Sequence, residues 1–339
     1  MVTLRRENIM SFTWEQKNVL ITGMSGFFAP HIAEKLLDLG ANIVGTVHDI
    51  KQSYSYMSGL DKKVVLCQVD INDLARLKEV INNYEINYIF HCAANSIVRL
   101  CAQNPIASFH TNIIGTANIL EAARLSDTIE GIMCMESDKS YGSFDIKDLP
   151  YKEEQGIKPS NVYEVSKACA GLIATSYSNN YSLPVFTIRA ANLYGPGDPN
   201  TSRLIPGSIM RLLFRESPVL FEGVAEYVRE FLYVKDAADV VIHLMEMINR
   251  TKSHVINLGS SEVHEVKYVI NQLCSRIDPS ISPIIKKKEN LFKEIKQQYL
   301  DYEKLKGFMP DYNPMNLDAG LDATIEWYDK NKMNLVRPQ

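Results

Sequence analysis

Residues 17–29 read KNVLITGMSGFFA. The apolar, β-branched run VLIT stops at Gly23, and Gly23, Gly26 and Ala29 form a G-x-x-G-x-x-A pattern. Next comes FAPHIAEKLLDLG (28–40), apolar at helical spacing and ended by Gly40. This reads as strand, tight turn and helix. Gly23 permits the turn, Gly26 lets backbone N–H groups approach a phosphate at the helix N-terminus, and Ala29 permits close helix–strand packing. Ser25 and Phe27 lie in the same turn and are read as cofactor contacts. The following strand, ANIVGTVHD (41–49), ends in Asp49, where a ribose-binding acid belongs. A carboxylate there accepts from two ribose hydroxyls and repels a 2′-phosphate, so the pattern favours NAD over NADP. Asp70 and Ile71, after the strand VVLCQV (64–69), are placed at the adenine, and Ala93 and Ala94 at a strand end flanking the cofactor.

The alternation continues with helix NDLARLKEVINNY (72–84), strand NYIFHCAA (87–94), helix PIASFHTNIIGTANILEAARL (105–125) and strand IEGIMCME (129–136). Helix VYEVSKACAGLIATSYSNNY (162–181) and strand PVFTIRAAN (184–192) complete the run. Strands alternating with helices imply an α/β fold, a Rossmann-type doubly wound parallel sheet. The rhythm breaks at LYGPGDPNTSRLIPG (193–207). The expected division is an extension over 1–16, a nucleotide-binding lobe over 17–190 plus about 236–258, and a smaller C-terminal substrate-binding lobe over about 191–235 plus 259–339. Phe12 and Trp14 either pack on the body or belong to a disordered arm.

The chain of 339 residues is 46% hydrophobic and 22% charged, an ordinary globular balance. A net charge of −4 gives no general attraction for nucleic acid or anionic membrane. No apolar run is long enough to span a bilayer, and the first residues lack a signal-peptide core. The six cysteines show no metal-ligand spacing and read as buried thiols, which places the protein in the cytoplasm. No metal site is expected; His31 and His91 read as packing residues.

Tyr163 and Lys167, in YEVSK, stand at i and i+4 on one helix face. A phenol is a poor base at neutral pH, and a neighbouring ammonium and the nicotinamide's positive charge both favour the phenolate. Lys167 is also placed to hydrogen-bond the nicotinamide ribose, and Ser137 to share the substrate oxygen with Tyr163.

The segments ITGMSGFFA, FHCAANSIVR, HTNIIGTANILEAAR, ESDKSYG, YEVSK and RAANLYGPGD, in this order, resemble the extended short-chain dehydrogenase/reductase family over roughly residues 17–260. The resemblance is to its nucleotide-sugar branch of epimerases and 4,6-dehydratases. It implies bound NAD, a Rossmann lobe, a C-terminal lobe holding a nucleotide diphosphate sugar, and a homodimer through a four-helix bundle. Asn112 matches a position that supports the active site, and Asn192 one whose amide contacts the diphosphate. Arg203 and Arg229 are candidate diphosphate ligands, because a guanidinium grips phosphate oxygens in a fork. Ser96 is a candidate hexose contact, and Arg211 a weaker one for the diphosphate. Phe231 and Tyr233 read as core.

The run Ser137-Asp138-Lys139 separates reaction types. It resembles the version in CDP-glucose 4,6-dehydratases, which implies oxidation at C4, loss of water across C5–C6 and hydride return to C6. Lys139 is then the C5 base, neutral for part of the cycle, and Asp138 the acid toward the C6 hydroxyl. Glu136 stands where such enzymes often carry Thr or Ser, and the sequence assigns it no function. The NLYGPGD stretch looks closer to epimerases, so an NAD-dependent C4 epimerase is the alternative. A non-enzymatic NAD-binding sensor or scaffold is the third class.

Overall fold

The computed structural model describes residues 12–48, 59–260, 262–287 and 295–332 of the chain. Six strands come first, separated by helices except between β2 and β3, where the described residues hold none: β1 (Asn18–Thr22), β2 (Asn42–Val47), β3 (Val65–Gln68), β4 (Tyr88–His91), β5 (Gly131–Ser137) and β6 (Val185–Ala190). The short β7 (Asn192–Tyr194), β8 (Val219–Phe221) and β9 (Val228–Tyr233) leave the sheet, and β10 (Val255–Leu258) returns to its edge. The order is β10-β6-β5-β4-β1-β2-β3, all parallel. Central strands of such a sheet are covered on both faces, which is why they read as continuous apolar runs. β6 is buried at every residue.

Two cores lie against the faces of this sheet. Helices Ala29–Asp38 and Val234–Glu246 supply Ile32, Leu36, Val240 and Val241 to one, with Phe90 and Phe186 from the strands. Helices Leu74–Asn83, Gly115–Arg124 and Val162–Tyr181 supply Leu77, Ile119 and Ala174 to the other. From β1 the sheet grows outward through β2 and β3, then resumes at β4 on β1's other side. The loops leaving β1 and β4 therefore part at a topological switch point, where a crevice forms.

A second lobe is built on β9, which pairs with β7, β11 (Val263–Glu265) and β13 (Gln297–Gln298); β12 (Ile284–Lys286) pairs with β8. Helices Leu204–Leu213, Val266–Ile277 and Leu317–Asn331 enclose its core of Tyr194, Ile209, Phe231, Tyr233, Leu273, Leu321 and Tyr328.

The structure differs from the sequence reading in two places and decides between the two readings of Trp14. The single helix expected over 105–125 contains a π-helical turn at His110–Ile114, between Pro105–Phe109 and Gly115–Arg124. Residues 302–312, expected in the second lobe, pack Tyr302, Leu305, Phe308 and Tyr312 on the core of the large sheet. Trp14 belongs to that same core at 2% exposure. Its ring sits edge-on to Tyr88 and Phe12, at 5.1 and 4.9 Å, and its Nε1 donates to Glu246 at 2.8 Å. Trp14→Ala is expected to destabilise the fold by about 3–5 kcal/mol. Denaturant unfolding checks this, and an unchanged midpoint would return the segment to a loose arm.

Candidate active site

The two lobes face one another across a cleft of about 1800 Å³. Single-ligand sites usually occupy a few hundred to about 1000 Å³, so this space suits two large ligands side by side. At the switch point, Gly23 adopts φ +77°, and a Cβ there would lie 2.9 Å from the Ala93 Cα. The turn therefore packs backbone to backbone on the loop after β4. Gly26 N donates to Gly23 O at 2.8 Å, closing the turn onto helix Ala29–Asp38, whose first turn has no acid to neutralise its positive end. Ser25, Phe27, Asp70, Ile71, Ala93 and Ala94 line the cleft around this turn. A glycine cradle at a free helix N-terminus fits the pyrophosphate of NAD. Asp70 also accepts from Asn72 N and Nδ2, both at 2.9 Å. Asp49 lies outside the described residues.

A buried lacing holds the two loops in register. Thr22 Oγ1 accepts from Cys92 N and Ala93 N, each at 3.1 Å, and lies 2.8 Å from His91 Nδ1. His91 Nε2 is 3.0 Å from Thr116 Oγ1, which itself donates to Asn112 O. Burial holds the imidazole near pKa 3, hence neutral. Asn112, in the π-helical turn, accepts from Asn95 N at 2.7 Å and donates to Asn95 O and to Ser166 Oγ. Through Asn112 the loop after β4 is tied to helix Val162–Tyr181, which carries Tyr163 and Lys167.

That helix starts where its sequence says it should. Asn161 and Glu164 form a reciprocal capping box. Tyr163 and Lys167 follow one turn apart, both buried and both lining the cleft. Burial pushes the Tyr163 phenol up to about 12; the Ser137 hydroxyl and the charge of Arg203 oppose that, and Asp138 adds to it. The Lys167 ammonium, expected to lower the phenol, donates to the backbone carbonyl of Met135, and the charge of Arg203 is a further influence opposing the rise. Without the nicotinamide's positive charge the phenol stays neutral.

β5 ends in the polar run, which turns at once into a short 3₁₀ helix, Asp138–Tyr141. Ser137 Oγ donates to Asp138 Oδ1 at 3.2 Å and accepts from Lys139 N at 3.2 Å. Lys139 Nζ lies 3.6 Å from Asp138 Oδ1 and donates to Asn192 Oδ1 at 3.1 Å and Gln298 Oε1 at 3.5 Å. Ser137, Asp138 and Lys139 all line the cleft beside Tyr163. Asp138 Oδ2 is buried with no hydrogen-bond partner among the described residues, and such an atom calls for a polar occupant of the cleft. The pair is therefore no exposed surface contact.

Glu136 points the other way. Arg189 Nε reaches both of its carboxylate oxygens at 3.1 Å, and the guanidinium lies 4.6 Å from the centre of the Tyr141 ring. Both partners are buried. Breaking such a pair leaves an uncompensated charge at a cost of about 3–5 kcal/mol.

At the sugar-nucleotide end the expected residues separate. Arg203 donates to Asp198 Oδ2 at 3.0 Å and to Ser96 Oγ at 3.4 Å, bringing two predicted substrate residues together from opposite lobes. Arg229 lines the cleft and donates to the carbonyls of Val228, Ile295 and Lys296. Asn192 also lines it, but Nδ2 donates to Glu230 O at 3.0 Å while Oδ1 holds Lys139, so much of its amide is engaged within the protein. Arg211 pairs with Glu216 at 3.3 Å.

Sequence reasoning missed Gln298 and Glu230. Gln298 lines the cleft through pairing of β9 with β13, a two-residue strand with no pattern of its own, whereas Glu230 is buried beside the cleft and accepts from Leu300 N at 2.9 Å. Burial pushes the Glu230 carboxyl up to about 8, with Asp138 adding to the rise. Among the described residues no cluster could hold a metal ion.

Comparison with known proteins places these features in company. The model of the NAD dependent epimerase/dehydratase family matches residues 19–259. A trifunctional UDP-glucose 4,6-dehydratase/3,5-epimerase/reductase from Arabidopsis thaliana is 30% identical over 328 residues, covering 94% of this chain and 48% of the plant protein. The chain thus spans about half the length of that relative. Among solved structures, a UDP-glucose 4-epimerase from Thermotoga maritima superposes with a TM-score of 0.84 at 23% identity, covering 93% of this chain and 99% of its own. A dTDP-glucose 4,6-dehydratase from Bacillus anthracis, in complex with NAD, gives 0.82 at 24% identity, covering 94% and 98%.

Proposed function

The chain belongs to the NAD-dependent epimerase/dehydratase family, and on that premise we propose that it is a nucleotide-sugar 4,6-dehydratase, making a 4-keto-6-deoxy sugar. One observation carries the choice within the family. Asp138 and Lys139 sit in the cleft as a paired acid and base, 3.6 Å apart, immediately after Ser137. Epimerisation at C4 needs a hydroxyl, a phenol and a lysine. It has no use for a second proton-transfer pair, which elimination of water requires.

When bound, NAD supplies storage for the hydride that leaves C4 and is later delivered to C6. The chain's residues move the protons. Tyr163 accepts the proton of the C4 hydroxyl while Ser137 hydrogen-bonds the same oxygen. The C4 carbonyl so formed acidifies C5–H, and Lys139 takes that proton as the C5–C6 double bond forms. Asp138 protonates the departing C6 hydroxyl, which leaves as water. Lys139 returns its proton to C5 as C6 receives hydride, and the proton held by Tyr163 balances the one Asp138 gave up. Arg203 and Arg229 hold the diphosphate, with Ser96 at the hexose.

The motif favours CDP-glucose, whereas the plant relative is named for UDP-glucose. Incubation with CDP-, UDP-, GDP- and dTDP-glucose, read by product mass, is expected to show loss of one water from at least one of them. A product of unchanged mass would make the protein an epimerase, and no turnover with NAD bound would make it a binding module.

Exposed Ile106, Ile114, Leu172 and Tyr181 on helices Pro105–Phe109 to Gly115–Arg124 and Val162–Tyr181 support a homodimer through those helices. The six free thiols support a reducing compartment, the cytoplasm. No described helix is long and apolar enough to cross a membrane.

A further inference from the structure

Glu136 is the one residue of the polar run with no part in the chemistry above, and the sequence gives it none. Its surroundings are specific. One side of the carboxylate is gripped by Arg189 Nε, 3.1 Å from both oxygens. The other side presses on helix Val162–Tyr181 at Gly171, where a Cβ would stand 2.4 Å from Oε2. Only glycine leaves that notch. Gly171 is one turn beyond Lys167, on the same helix face. The peptide preceding Glu136 supplies the Met135 carbonyl that receives the Lys167 ammonium. Strand residue and lysine are therefore locked through adjacent positions of β5.

We propose that Glu136 is a positioning residue for Lys167: seated between Arg189 and the notch at Gly171, its carboxylate is the lysine's counter-charge and fixes the strand end that receives it. The case for a counter-charge comes from the neighbours. The titratable groups coupled to Lys167 by charge are Glu136 and Cys134 on β5, Cys92 just after β4, Cys101 on helix Val98–Gln103, and His91 on β4. Burial pushes the Cys92 and Cys134 thiols up to about 12 and raises Cys101, so none is an anion at neutral pH. His91 is neutral. Glu136 is the member of this set paired to a cation: burial raises its carboxyl, and the Arg189 guanidinium, with Nε 3.1 Å from both oxygens, opposes that rise and makes it the set's negative partner. A buried ammonium with only a carbonyl for a partner tends to lose its proton, and Glu136 opposes that loss. The arrangement serves whichever sugar reaction follows, and it rests on the cofactor-binding role proposed for Lys167.

The test is NADH binding to the full chain, read by cofactor fluorescence from about pH 6 to about pH 10. In the native protein affinity falls on the alkaline side as Lys167 deprotonates. Glu136→Gln is expected to move that fall about one pH unit lower, and Glu136→Asp, which keeps the charge, to restore most of it. In a Lys167→Met background the alkaline fall is absent, and adding Glu136→Gln changes nothing further. A Glu136→Gln profile that superimposes on the native one, or a shift that persists without Lys167, overturns the proposal. Native-like binding in Lys167→Met alone would instead sink the role given to Lys167. Should Glu136→Gln not fold, the double variant Glu136→Gln/Arg189→Met leaves no unpaired charge and carries the same comparison.

Discussion

Tyr163→Phe is expected to lower turnover by a factor of about 10²–10⁴, the usual worth of a positioned general base, while the protein folds and binds NAD as before. The phenol is buried, and burial pushes it up to about 12, so the protein alone does not make it a base. Its charge environment must change when the positive nicotinamide enters beside it, since Arg203 and Ser137 already oppose the rise without cancelling it. In the proposed reaction the variant removes the proton acceptor for the C4 hydroxyl, and with it the first step. Stopped-flow absorbance of the reduced nicotinamide checks the assignment directly. The transient is expected to vanish in Tyr163→Phe; a transient of native rate and amplitude would remove Tyr163 from the role.

Lys139→Ala tests the later half. It leaves Ser137, Tyr163 and Lys167 in place, so oxidation at C4 is expected to continue and reduced nicotinamide to accumulate. Exchange of the C5 proton with solvent, and release of product, are expected to fall by about 10²–10⁴-fold. The geometry explains why the effect is confined: Lys139 Nζ contacts Asp138, Asn192 and Gln298, none of which touches the Tyr163–Lys167 pair by any hydrogen bond described above. Unchanged washout at C5 would take Lys139 out of the mechanism.

The parts of this fold that local sequence encodes were legible before the structure. Gly23 and Gly26 announce a turn because their chemistry is local: a positive φ at one, a close approach at the other. Tyr163 and Lys167 announce a shared face because helical periodicity is local too. Glu136 carries no such signal. Its meaning lies in Arg189, 53 residues away on the neighbouring strand, and in the absence of a side chain at Gly171. Gln298 is 159 residues from Lys139 and reaches it through a two-residue strand. Trp14 stayed open between packing on the body and an arm because nothing local shows the pocket formed by Tyr88 and Glu246. The role of Arg203 at the phenol likewise needs both lobes in place. Side chains whose partners are set by strand register or lobe closure are invisible to spacing, and here they include several that govern charge in the cleft.

In the proposed reaction hydride leaves one carbon and returns to another after water has been lost between them. A nucleotide glucose carrying deuterium at C4, turned over by the native protein and read by mass and by NMR, tests it most directly. The predicted product is lighter by one water and carries the deuterium at C6. Deuterium still on C4 of a product with unchanged mass and inverted C4 configuration would contradict it.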